Sequence, residues 1–264
     1  RQRNSAAAKT RRLLMRSTLQ IRPLVLLAWG QRPAGRAGKA PAQVLMTARV
    51  ETYVGAGGKT TTIFFRALKA RQLGKKVAVV TTTHMMRPRQ GFVPGDLPAG
   101  WKEQWRNDGI IVVGTALDNG KITYPGDGVY EALCELSDLV LVEGDGSRRM
   151  PLKVMGSHEP VIPENCDDVY CLAGLSALGQ TAGKACFRHN LLGLPEDAVI
   201  TERLMTHIVE EGCLARLGSF WDRTTVILNQ ADDEALFQCG HRILQHLSRP
   251  GRMTAYEEEA RNLP

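Results

Sequence analysis

No Asp or Glu occurs in the first fifty residues of this 264-residue chain, although that stretch holds eleven Lys and Arg. The whole chain has 34 basic and 27 acidic residues, a formal charge of +7. Residues 51–264 therefore keep 23 basic and 27 acidic residues, a net of −4. So sharp an asymmetry marks a separate segment. It also removes the case for a nucleic-acid partner of the remaining chain, which is mildly acidic. Other absences narrow the field further. None of the six cysteines forms a C-x-x-C pair, which argues against a thioredoxin-type or zinc-ribbon site. The six histidines show no metal-ligand spacing. No apolar run approaches the roughly 20 residues of a membrane helix. The 43% apolar and 23% charged fractions are ordinary for a globular protein.

Residues 1–43 read as a basic arm, either disordered or a wrongly assigned start. Their Arg-rich, acid-poor composition also resembles an organelle transit peptide. From residue 44 the pattern becomes regular. Val44–Met46 and Val50–Val54 read as a strand ending in a glycine-rich turn. Ile63, Phe64, Ala67, Leu68 and Leu73 recur at helical spacing, and Gly74 closes that helix. Lys76–Val80, Ile110–Val113, Leu139–Val142, Val169–Leu172 and Thr225–Leu228 read as strands. Val129–Leu136, the region around Thr201–Leu217 and Glu234–Leu247 read as helices. Asp118–Gly120 suggests a hairpin turn. Residues 85–108, rich in Pro, Gly and Arg, read as a long loop. Alternating strands and helices predict an α/β, P-loop NTPase-like three-layer fold with a mostly parallel sheet. The domain is expected over 44–247, followed by a polar, frayed tail over 248–264.

The strongest chemical signal is Gly55-Ala56-Gly57-Gly58-Lys59-Thr60 at a strand-to-helix junction. The full P-loop pattern, G-x-x-x-x-G-K-[ST], would put its first glycine at position 53, which is Tyr53. The chain therefore carries a variant, with Gly55 and Gly57 inside the loop. Glycines let backbone N–H groups approach phosphate oxygens, and the following helix points its positive end at them. Lys59 is expected to reach the β- and γ-phosphates. Thr60 is expected to ligate Mg²⁺, and Thr61 to add to the phosphate cradle.

The apolar strand 139–142 ends in Glu143-Gly-Asp145. Carboxylates emerging at the carboxyl edge of a sheet are suited to Mg²⁺ or to orienting an attacking water. Glu143 and Asp145 are thus candidate catalytic and metal residues, and Lys59 is a candidate catalytic residue beside them. Asn229-Gln230-Ala231-Asp232 follows a late strand and resembles N-K-x-D, with Gln230 in place of Lys. An Asp there can accept two hydrogen bonds from the guanine edge. Asn229 and Asp232 are candidate nucleotide residues; the alternative is that Asp232 or Asp233 caps the helix at Glu234. ATP and GTP both remain open. Thr81-Thr-Thr-His84 could sense a γ-phosphate. Arg148, Arg149 and Lys153 could clamp phosphate or substrate.

Three blocks together carry a resemblance: Val54–Thr62, Thr81–Met85 and Leu141–Lys153, with His158–Pro163 and Gly174–Gly179 extending it. In that order they resemble the YqeC family, accessory proteins of selenium-dependent molybdenum hydroxylases. The resemblance spans roughly residues 50–235. It implies a bacterial cytoplasmic protein, a P-loop fold, and a role in maturing a selenium-containing molybdenum cofactor enzyme. Mg²⁺-dependent NTP hydrolysis or phosphoryl transfer is the expected activity. The alternative is a non-catalytic binder or carrier of a molybdopterin-type nucleotide, with the cofactor or a molybdenum hydroxylase as partner. Two features depart from the pattern. Gly144 stands where Ala is expected between the acidic residues, and the strand Ala48–Tyr53 is more polar than a central strand should be.

Overall fold

A computed structural model describes residues 48–95 and 98–255; the basic arm and Val44–Met46 lie outside the described residues. The chain runs β1 (Arg49–Gly55), α1 (Lys59–Gln72), β2 (Val77–Thr81), β3 (His84–Met86), β4 (Phe92–Pro94), α2 (Pro98–Asp108), β5 (Ile110–Ala116), β6 (Lys121–Thr123), α3 (Asp127–Leu136) and β7 (Leu139–Glu143). It continues through β8 (Leu152–Lys153), β9 (Asp168–Gly174), a single-turn α4 (Ala182–Ala185), β10 (Cys186–Phe187), α5 (Glu202–Gly212), β11 (Thr224–Asn229), α6 (Glu234–Gln245) and β12 (Gly251–Met253).

The main sheet has the order β12-β11-β9-β1-β7-β2-β5-β6-β3, with β4 also paired to β5. Every pairing in it is parallel except β5–β6 and β6–β3, the hairpin expected around Asp118–Gly120 and its extension. This is the expected α/β architecture, and its two faces follow from the period of two in each strand. Val50, Val54, Val140, Val142, Val226 and Leu228 point into one core with Trp101, Leu133, Ile208 and Ile243. Glu51 and Tyr53 point the other way, where Glu51 meets Arg66 of α1. With helices on both faces, β2 and β7 are buried at every position, which is why they read as unbroken apolar runs.

Two expectations are corrected, and the polarity of β1 finds its explanation. Residues 85–108 are not one loop: β3, β4 and α2 lie there. Trp101 and Trp105, four apart, put both rings on one buried face of α2, and the Trp105 indole N–H donates to the Val77 carbonyl at 2.9 Å. The Pro, Gly and Arg content hid that spacing. The tail beginning at 248 is not wholly frayed: Gly251–Met253 adds a parallel edge strand to β11, and Thr254 N–H donates to the Leu228 carbonyl. Finally, the polar β1 is central, flanked by β7 and β9. Glu51 is fully buried there because Arg66 reaches it with two donors, at 2.9 and 2.7 Å, and the Tyr53 hydroxyl donates at 3.0 Å. A buried charge so paired avoids most of its desolvation cost.

Candidate functional site

β1 hands over to α1 through Ala56-Gly57-Gly58, at the carboxyl edge of the sheet. The loop is glycine for steric reasons. Gly57 has φ +83°, and a Cβ there would lie 2.3 Å from Gly174 N. Gly58 has φ +112°, and a Cβ there would lie 2.5 Å from the Asn229 amide nitrogen. Side chains are excluded twice, by conformation and by contact. Gly58 starts α1 without any side-chain cap, and the first turn holds no acidic residue. Uncapped N–H groups at the positive end of a helix favour an anion.

Lys59 opens α1 and is buried. Its ammonium donates to the Gly55 carbonyl at 2.6 Å and pairs with Asp145 Oδ1 at 3.1 Å. Burial works against its charge, but Asp145 and Glu143 outweigh that and hold its pKa above the ordinary value. The Thr60 hydroxyl donates to Glu143 Oε2 at 2.8 Å. Burial pushes the Glu143 carboxyl up in pKa, against the opposing pull of Lys59 and Thr60. Glu143 ends β7 directly beside Tyr53 of β1. The strand register therefore brings the carboxylate to the mouth of the loop.

Asp145 is placed differently from Glu143. It is fully buried, and its Oδ2 accepts from the Gly55 N–H and from Lys153 Nζ, both at 2.9 Å. Two lysines and a loop amide thus surround it. Lys153 continues to the Gly146 carbonyl at 2.7 Å and to Glu159 at 2.6 Å, and Glu159 pairs with Arg188. Burial alone would raise the Glu159 pKa, but Lys153, the Gly156 N–H and Arg188 bring it below its ordinary value. Lys153 is therefore a buried link in an ion chain and not a solvent-facing clamp. Glu159 lies within the His158–Pro163 block, but neither it nor Arg188 belongs to a spacing with chemical meaning.

Asn229, buried at the end of β11, donates from Nδ2 to the Gly57 carbonyl at 3.0 Å. Its Oδ1 accepts from Gln230 N–H and the Thr254 hydroxyl. It braces the loop. Asp232 is exposed three residues on, and Asp233 is the N-cap of α6, accepting from Leu236 N–H at 2.8 Å. The Thr run ends β2 beside Glu143: Thr81 donates to the Glu143 carbonyl and Thr82 to the Val161 carbonyl. The Thr83 hydroxyl is buried without a hydrogen-bond partner among the described residues. Thr61 lies half-buried on the first turn of α1, and His84 is exposed on β3. At Gly144 an added Cβ would lie 3.0 Å from Thr52 Cγ2 and 3.1 Å from Val54 Cγ1, a tight fit.

The family model described as YqeC protein matches residues 52–190, more than half of the chain and all the acidic-strand and loop residues above. The chain belongs to the YqeC family. It is 31% identical over 145 residues to the uncharacterized protein YqeC of Escherichia coli (strain K12). That match covers 49% of this chain and 53% of the relative, so the chain spans about half the length of the curated relative it matches. Among solved structures it is similar to FlhF complexed with GMPPNP and Mg²⁺, at 15% identity and a TM-score of 0.42, over 83% of this chain and 68% of that one. It is also similar to FtsY from Mycoplasma mycoides, at 15% identity and a TM-score of 0.41, over 78% and 59%.

The donor set at the loop is hard oxygen, Thr60 Oγ1 and Glu143, with no cluster of three His, Cys, Asp or Glu able to hold a metal among the described residues. Mg²⁺ is suited to such a site, because it takes one or two protein oxygens and leaves the rest to phosphates and water. No helix among the described residues is long and apolar enough to cross a membrane.

Proposed function

We propose that this YqeC-family chain binds a Mg²⁺–nucleoside triphosphate at Gly55, Gly57, Gly58, Lys59, Thr60 and Thr61, and hydrolyses it or transfers its phosphoryl group. The observation that carries this reading is the buried Lys59 at an uncapped helix start, with the Thr60–Glu143 pair beside it. When bound, Mg²⁺ would neutralise charge on the phosphate oxygens. The chain's own residues do the rest. Lys59 exchanges its contact with the Gly55 carbonyl for phosphate oxygen. Thr60 and Glu143 hold the metal, and Glu143 orients the water or acceptor hydroxyl. Asp145, expected as a metal residue, serves instead as counter-ion that keeps Lys59 charged and aimed. Asn229 holds the loop, and Asp232 is the candidate to read the base, ATP and GTP both remaining candidates. The resemblance supplies the setting: cytoplasmic maturation of a selenium-dependent molybdenum hydroxylase, with the molybdopterin cofactor or the hydroxylase as partner.

The decisive experiment is a titration of the full chain with ATP and GTP, with and without Mg²⁺, followed by phosphate release. Lys59→Ala should weaken nucleotide binding by roughly 10- to 100-fold, the worth of one or two charge-assisted hydrogen bonds, and abolish release. Tight binding of a molybdopterin nucleotide with no Mg²⁺-dependent hydrolysis would instead favour a carrier.

A further inference from the structure

Four described non-glycine residues have positive φ: Arg148 (50°), Arg149 (62°), Arg188 (62°) and Gln230 (66°). Three are arginines. Arg148 and Arg149 hold the two central positions of a tight turn, closed by the Met150 N–H donating to the Ser147 carbonyl at 2.9 Å. Positive φ at both central positions is a type I′ feature and favours Asn-Gly or Gly-Gly. Two consecutive arginines there are strained, and such strain gathers at functional sites. A merely solvated basic loop has no need of it.

The turn lies on the flank of the phosphate loop. The Pro151 carbonyl, two residues after Arg149, accepts from the Gly174 N–H and packs against Gly57. Lys153 then pairs in register with Phe187. The Arg148 guanidinium lies 4.9 Å from the Phe187 ring centroid and that of Arg188 lies 4.6 Å from it. One ring thus carries two guanidinium groups. Glu159 answers the charge of Arg188. Arg148 and Arg149 are exposed, and neither has a carboxylate partner among the described residues. Two unanswered guanidinium forks match a dianion, and Arg forks suit phosphate oxygens.

We propose that Arg148, stacked on Phe187 beside Arg188, and Arg149, its neighbour in the strained turn, form a second anion site that takes the phosphate monoester of a second substrate. That this substrate is the acceptor rests on the nucleotide reading; the site itself does not. The test is calorimetric titration of inorganic phosphate into the full chain saturated with Mg²⁺ and a non-hydrolysable nucleotide, so that the phosphate loop is filled. The variant is R148G/R149G, whose glycines suit the turn, so its melting temperature should stay level or rise. Wild-type chain should bind one phosphate, and the variant should bind it at least tenfold more weakly with the same nucleotide affinity. Equal phosphate binding by both, or none by the wild type, overturns the site. If the chain takes no nucleotide, that reading fails alone. The titration is then repeated on Lys59→Ala chain, where loss of phosphate binding on adding R148G/R149G supports the site and retention overturns it.

Discussion

Lys59 Nζ sits 3.1 Å from Asp145 Oδ1, while Lys153 Nζ sits 2.9 Å from the other oxygen of the same carboxylate. One fully buried carboxylate therefore lies between two buried lysines, and Glu159 answers Lys153 from its other side. Asp145→Asn removes that charge and leaves the lysines facing one another. Breaking a buried ion pair by deleting one partner costs about 3–5 kcal/mol. Urea denaturation should show a loss of that size. Lys59→Met should cost less, since Lys153 and the Gly55 N–H still satisfy Asp145. Equal losses in the two variants would contradict the central place of Asp145.

Glu143 separates stability from function. Burial raises its pKa above the ordinary 4.5, so the folded chain prefers it protonated relative to the unfolded chain. The contribution of such a group is fully present below the unfolded value and is lost as pH rises through the folded one. Glu143→Gln deletes that loss. The variant should be at least as stable as the wild type at pH 7, and its stability should vary less with pH above 4.5. If Glu143 carries metal and water, the same variant should lose turnover by about 10²-fold or more. A thermal-melt series over pH, read beside phosphate release, checks both halves.

Asn229 and Asp232 sit three residues apart but should behave differently. The Asn229 side chain holds the Gly57 carbonyl, so Asn229→Ala loosens the loop for any nucleotide. ATP and GTP should weaken together, by roughly tenfold for a lost buried hydrogen bond. Asp232→Ala should leave ATP unchanged and weaken GTP, if the base is guanine. Competition binding with both nucleotides reads this directly. A selective loss of GTP in Asn229→Ala would reverse the assignment.

Much of this was legible in the sequence because it rests on local rules. The unbroken apolar runs at Val77–Val80 and Leu139–Val142 are what a doubly covered parallel strand requires. Gly57 and Gly58 announce a loop that no side chain can enter. What stayed hidden depends on distant partners. Asp145 reads as a twin of Glu143, two residues away, yet strand alternation turns Glu143 to Thr60 while the chain past β7 carries Asp145 in among Lys59, Lys153 and Gly55. The Lys153–Glu159–Arg188 chain joins residues on separate loops. No spacing encodes it.

The polar β1 gives the last prediction. Glu51 belongs to the strand Ala48–Tyr53, which is more polar than a central strand should be, and Arg66 lies 15 positions later on α1. In the fold they meet in a two-pronged, buried pair with Tyr53 joining from the same strand. This pair fixes α1 against β1, and the phosphate loop is the short link between those two elements. Arg66→Met leaves the buried Glu51 carboxylate with only the Tyr53 hydroxyl and the longer Arg49 contact at 3.4 Å, and should cost about 3 kcal/mol, the low end for a broken buried pair. Replacing both, in Glu51→Leu/Arg66→Met, removes the stranded charge and should recover most of that loss, because apolar groups of similar volume often match a buried pair. Nucleotide affinity is the second readout. If the pair only stabilises, the double variant binds like the wild type. If its geometry sets the entry angle of α1, stability returns while affinity stays low, and the difference is measurable in one titration at a temperature where both proteins are folded.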